Sequence, residues 1–137
     1  MPVDRMGRSA RSDLDQLPAV KFFKSAVADI LSGAKTLEPR PRSAAWVKRA
    51  AASDRARLTY GPRRGAPTVF AVARVLEVVV RPFETATQED VDRVGSDWKG
   101  RDPAEFIAVY TDWYRKELDK GYPVAWISFE VEEVTAT

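Results

Sequence analysis

At 137 residues and a formal net charge of +2, the chain has the size of one domain built on a single hydrophobic core. It contains no cysteine and no histidine. That excludes a disulfide framework, a thiolate zinc site, a thiol nucleophile, Ser-His and Cys-His catalysis, and an imidazole base. Any chemistry must come from Lys, Arg, Asp, Glu, Tyr, Ser or Thr. No P-loop, dinucleotide-binding glycine cluster or carboxylate-rich metal loop is present, so neither a cofactor nor a metal is expected. No apolar run approaches the length of a membrane span, and the basic N-terminus lacks the apolar core of a signal peptide. The cytoplasm is therefore the default expectation.

Residues 1–17 carry Arg5, Arg8, Arg11, Asp13 and Asp15 among few apolar positions. They predict a flexible basic arm, with Ser12 able to cap a short helical turn. The domain proper is expected over 18–137. From Pro18, the positions Val20, Phe23, Ala26, Val27, Ile30 and Leu31 follow helical spacing, and Gly33 supplies a left-handed stop. Phe22 and Phe23 are expected in the core. Leu37 to Arg42 reads as a short strand that Pro39 and Pro41 keep out of the middle of a sheet. Ser43 to Ala52 predicts one or two helical turns.

Arg57 to Tyr60 is a strand ending at Gly61-Pro62, followed by a basic loop at Arg63-Arg64. Thr68 to Val80 is valine-rich and too long for an ordinary strand. It makes either one long bent strand or two strands broken near Arg74 to Glu77. Glu84 to Val94 predicts a short helix capped by Thr85 or Thr87. Asp102-Pro103 starts another helix, whose aromatic stripe Phe106, Ile107, Tyr110, Trp113, Tyr114 and Leu118 is read as core, with base stacking the alternative. Gly121 ends it, and Val124 to Val131 returns as the last strand. This order suits a small α+β barrel with flanking helices.

Charge is unevenly distributed. Between Pro39 and Arg64, Arg40, Arg42, Lys48, Arg49, Arg55, Arg57, Arg63 and Arg64 stand against Asp54 alone. From Glu84 onward, thirteen acids face six bases. One reading is a basic side that attracts polyanions; the other is scattered solubilising charge that pairs with the acidic half.

The most informative stretch is Gly33-Ala34-Lys35-Thr36-Leu37-Glu38-Pro39-Arg40. In an extended segment, residues two apart share a face. Thr36, Glu38 and Arg40 therefore point together, with Lys35 at the entrance. The pattern Gly-x-Lys-x-x-Glu-x-Arg resembles the signature of the ASCH family, a branch of the PUA-like barrel superfamily. From about Val20 to Val134 the layout is similar too: the helix into Gly33-x-Lys35, Phe83-Glu84 before a short acidic helix, and a last strand ending at Phe129-Glu130.

The resemblance implies a small PUA-like β-barrel with a cleft beside the Lys-Glu-Arg segment, proposed in the family to bind RNA. Some bacterial members hydrolyse N4-acetylcytidine, and at least one has been described as a ribonuclease. The chain departs from the pattern at three places. Ser53-Asp54 stands where members usually have Gly-Asp, Glu38 stands where the amidohydrolase-like members have Thr, and Val94 falls near the position of their helical glutamate.

The expectation is thus a domain binding RNA, a nucleoside or a nucleotide around Lys35, Glu38 and Arg40. Thr36, Arg42, Arg57, Arg63 and Arg64 would be polar or backbone contacts, and Trp46 or Tyr60 a stacking platform. Trp46 is equally readable as core. The alternative is a metal-independent hydrolase in the same cleft, acting as a nucleoside amidohydrolase or a ribonuclease. There Lys35 would be base or nucleophile, Glu38 a proton shuttle, and Arg40 the stabiliser of an oxyanion or phosphate. A fixed ion-pair cluster closing the barrel mouth and a protein-interaction module are the remaining readings.

Overall fold

The structure, a computed structural model, describes residues 16–61 and 65–135. The expected basic arm, apart from Gln16 and Leu17, lies outside those residues, as do Arg63 and Arg64.

The chain enters through strand β1, Ala19–Phe22, where a helix was expected. Val20 and Phe22 satisfy a period of two as readily as Val20 and Phe23 satisfy a helical one. Parallel pairing of β1 with strand β3, Arg55–Tyr60, decides for the strand. Val20 and Phe22 are buried, Ala19 and Lys21 face out, and Phe23 is 86% exposed and not in the core. Helix begins later, as a 3-10 turn at Lys24–Ala26 leading into α1, Val27–Ser32. Gly33 ends α1 at φ +85° and donates its N–H to the Ile30 carbonyl at 3.2 Å. A side chain there would have to adopt that left-handed backbone.

Strand β2, Leu37–Pro41, leads into α2, Ala44–Ala51, whose N-cap Ser43 accepts from the Trp46 N–H at 3.2 Å. Strand β4 runs unbroken over Thr68–Val80. Its pairing shifts register between Val72 and Ala73 and between Val75 and Glu77. The second irregularity falls where a break was expected, and such bulges bend a strand without ending it. Phe83–Thr85 forms a 3-10 turn. Helix α3, Gln88–Val94, follows with a full capping box between Thr87 and Asp90. Helix α4, Pro103–Trp113, is capped by Asp102. The expected single stripe to Leu118 is interrupted at Tyr114, which separates α4 from α5, Arg115–Asp119. Trp113, just before that break, is exposed. Strand β5, Val124–Val134, closes the fold.

The five strands form one mixed sheet in the order β1-β3-β4-β5-β2, in an α+β half-barrel. One face encloses Val20, Phe22, Leu58, Phe70 and Phe129. The other carries Leu37 and Trp126 against Phe83, Val91 and Phe106 from the helical layer. There Phe106 stacks on Tyr110 at 4.1 Å between centroids. Burying each such side chain contributes about 1.5–3 kcal/mol. Among the described residues, no helix is long and apolar enough to cross a membrane.

Candidate functional site

Strand β2 is an edge, hydrogen-bonded only to β5. The Thr36 carbonyl accepts from the Phe129 N–H and the Arg42 N–H donates to the Pro123 carbonyl, both at 3.1 Å. Even-numbered residues of the segment therefore turn their peptide groups toward β5, and Leu37, Pro39 and Pro41 turn theirs to the open edge. Two of those three lack an N–H, which leaves the edge a poor template for another strand. The same alternation sends Glu38 and Arg40, register partners of Ile127 and Ala125, to the face opposite Leu37 and Trp126.

On that face Lys35, Glu38 and Arg40 are 7%, 6% and 7% exposed. The Glu38 carboxylate bridges the two cations. One oxygen lies 2.8 Å from Lys35 Nζ; the other accepts from Arg40 Nε at 2.8 Å and from Arg40 Nη2. Burial works to raise the Glu38 carboxyl, but the charges and hydrogen bonds of Arg40 and Lys35 outweigh it and hold it below its ordinary value. Burial likewise opposes the Arg40 charge, and Glu38 more than compensates, raising the guanidinium above its ordinary value. Lys35 Nζ also donates to the Val94 carbonyl at 2.8 Å and to the Leu37 carbonyl at 3.3 Å. Three acceptors around one nitrogen match the three protons of an ammonium and leave no direction for a lone pair.

The other expected residues fall into two groups. Thr36 stays beside Lys35, its hydroxyl and carbonyl accepting from Arg93 at 3.0 and 3.3 Å. Arg42, next along the segment, is half-buried and places its guanidinium 5.8 Å from the centre of the Trp46 ring. Its one hydrogen bond to a described residue goes to the Pro41 carbonyl. Burial and the neighbouring Arg40 charge pull the Arg42 guanidinium below its ordinary value, against the partial support of Tyr114, Glu38 and Glu117. Trp46 packs against the core and under Arg42 at once.

Arg57 does not join this group. It lies on β3 between buried Ala56 and Leu58, facing the other way, and donates twice to the Leu17 carbonyl. Tyr60, paired in register with Phe22, holds its ring 5.9 Å from that of Phe70, with Lys24 Nζ at 5.8 Å from its centre.

Tyr110 and Tyr114 belong to the aromatic stripe read from sequence as core. Burial, then the Glu38 charge, push the phenols of Tyr110 and Tyr114 upward. They stand four residues apart, Tyr110 on α4 and Tyr114 at the break that ends it, and phenols inside an otherwise apolar stripe are the signal that could have found them.

Neither a protein-family model nor a curated protein matches the sequence. The fold is similar to those of several solved structures. A hypothetical protein, PH0355, is similar at TM-score 0.58 and 20% identity, over 83% of this chain and 97% of its own. An ASCH domain from Lactobacillus crispatus JV V101 is similar at TM-score 0.53 and 12% identity, over 83% and 79%. A mutant form of ZmASCH from Zymomonas mobilis is similar at TM-score 0.51 and 16% identity, over 85% and 68%. The chain has the fold of solved ASCH domains.

Proposed function

We propose that this chain is an ASCH domain that binds single-stranded RNA or a nucleotide beside the Lys35–Glu38–Arg40 cluster. The carrying observation is Arg42. It is a half-buried cation set against another cation, with Arg40 already committed to Glu38 and an indole beneath it. A phosphate docked there would relieve both the burial cost and the repulsion, while Trp46 offers an edge or face to the adjoining base. Lys35 and Thr36 line a shallow cleft of about 200 Å³ with Gly33 and Phe129, which extends the surface on the other side of the cluster. In this reading Lys35, Glu38 and Arg40 fix the geometry, and Arg42, Trp46 and Thr36 meet the ligand.

The hydrolase alternative is weaker on one specific point. A base or nucleophile at Lys35 needs a lone pair, and its nitrogen is surrounded by three acceptors.

The test is fluorescence anisotropy of a labelled single-stranded RNA in EDTA over a salt series. Binding should weaken steeply with salt as counterions are released. Arg42→Ala and Trp46→Ala should each weaken it by about 5- to 30-fold, in line with roughly 1–2 kcal/mol for a phosphate contact or a stacked base. Arg57→Ala should leave it unchanged. Absence of binding, or equal losses in all three variants, would sink the proposal. Turnover of N4-acetylcytidine or of the RNA that vanishes in Lys35→Ala would replace it with the hydrolase.

A further inference from the structure

A larger cleft, about 420 Å³, opens on the opposite face of β5 from the Lys35–Glu38–Arg40 cluster. Its walls are the end of β4 and helix α3, and its floor is Trp126 and Ser128. Several of its charged groups are already committed. Asp90 accepts from Arg81 at 2.8 Å and from the Thr87 N–H and hydroxyl at 2.8 and 3.0 Å. The Arg81 guanidinium lies 3.8 Å from the centre of the Trp126 ring. Arg93 spends its Nε and Nη2 on Thr36.

Three groups in the lining remain. The carboxylates of Glu77 and Glu89 make no hydrogen bond or ion pair to any described residue. Ser128 is only 7% exposed, and its hydroxyl, facing the cleft, also has no partner among the described residues. The hydroxyl itself is open to solvent, and the space it opens on is this cleft. Glu77 and Ser128 are direct cross-strand partners between β4 and β5. Opposed residues hold their Cβ atoms about 4.5–5.5 Å apart, so one small group can touch both.

We propose that this cleft is a binding site for a short aliphatic di- or polyamine. One ammonium sits between the Glu77 carboxylate and the Ser128 hydroxyl, and a second is met by Glu89 on α3. A tetrahedral ammonium gives its protons to acceptors on separate walls. A planar guanidinium instead needs a coplanar pair of acceptors. A bare metal ion fits poorly, because among the described residues no group of three or more carboxylates converges to hold one. The volume is of the size that encloses a small ligand.

The experiment is calorimetric titration of the RNA-free protein with spermidine at fixed ionic strength, with Mg²⁺ as the competing cation. None of its variants touches Arg42 or Trp46, so its outcome is separate from that of the RNA titration. Saturable one-to-one binding is expected. Glu77→Gln should weaken it about 10-fold or more and Ser128→Ala about 3- to 10-fold, the scale of one charge-assisted and one neutral hydrogen bond. Glu133→Gln, an exposed carboxylate on the far part of β5 and outside the cleft lining, should leave affinity unchanged. Both cleft variants should keep the thermal midpoint of the parent protein, since Glu77 is exposed and Ser128 holds no bond. The proposal is overturned if binding does not saturate, if Mg²⁺ competes at equal concentration, or if Glu133→Gln weakens binding as much as Glu77→Gln.

Discussion

Replacing Glu38 by Gln removes one negative charge from between two buried cations and keeps nearly the same volume. Lys35 and Arg40, each about nine-tenths buried, would then face each other with no counter-ion. Breaking a buried pair in this way costs about 3–5 kcal/mol, against a total stability of about 5–15 kcal/mol for a domain. At roughly 3–5 °C per kcal/mol for a chain of this length, the thermal midpoint should fall by about 10–20 °C. Circular dichroism during thermal and urea unfolding reads the loss.

The reading makes two further demands. Since the damage is charge imbalance, Lys35→Met should cost less in the Glu38→Gln background than alone, with a coupling of at least about 1 kcal/mol. The loss should also depend on pH in a fixed direction. The folded-state carboxyl is held below its ordinary 4.5, so its contribution is whole above that value and is lost as pH falls through the lower folded-state one. The gap between parent and Glu38→Gln is therefore widest near neutrality and narrows in acid. A loss under about 1 kcal/mol at pH 7, additive effects in the double variant, or a gap that widens in acid would refute the argument.

Phe22→Ala should cost about 3–5 kcal/mol in urea unfolding, as a core aromatic does, and Phe23→Ala less than about 0.5 kcal/mol. Similar losses for the two would restore the helix expected from the spacing of Val20, Phe23 and Ala26. Thr87→Ala removes the hydroxyl that caps α3 and should cost about 1 kcal/mol, read by the same unfolding curves; no change would mean that the Asp90 half of the capping box suffices.

Much of the fold is written locally. Asp102-Pro103, Thr87 and Gly33 mark helix ends by mechanisms that need only neighbouring residues, and each does so in the structure. Pro39 and Pro41 signal an edge strand by the N–H groups they lack. The shared face of Glu38 and Arg40 follows from the strand period alone. What escaped depends on partners distant in sequence. Val20 and Phe22 become a strand because β3, more than thirty residues on, pairs with them. The Val94 carbonyl reaches Lys35 across 59 residues, and nothing in a backbone oxygen is visible in a sequence. Arg57 is a different kind of miss. Its face was legible from the apolar Ala56 and Leu58 beside it, and counting basic residues along the chain concealed that.

The position of the charged cluster within the sheet gives it a mechanical sense that the motif alone does not. Strands β1 and β2 are the two ends of the sheet order, joined by no hydrogen bonds of the ladder. Yet Lys35 Nζ and Arg40 Cζ lie 5.7 and 5.4 Å from the centre of the Phe22 ring at the end of β1. The two cations that Glu38 gathers on the β2 side thus meet an aromatic face on the β1 side, across the gap of the half-barrel. Cation–π contacts of this kind gain strength when desolvated, and these cations are buried. The cluster therefore links the open edges of the sheet as well as shaping the surface around Arg42. It follows that variants of Lys35, Glu38 or Arg40 confound binding with barrel closure. Arg42, at the rim, is the position where the proposed recognition separates from folding; Trp46 also packs on the core, so its variant is read beside an unfolding curve.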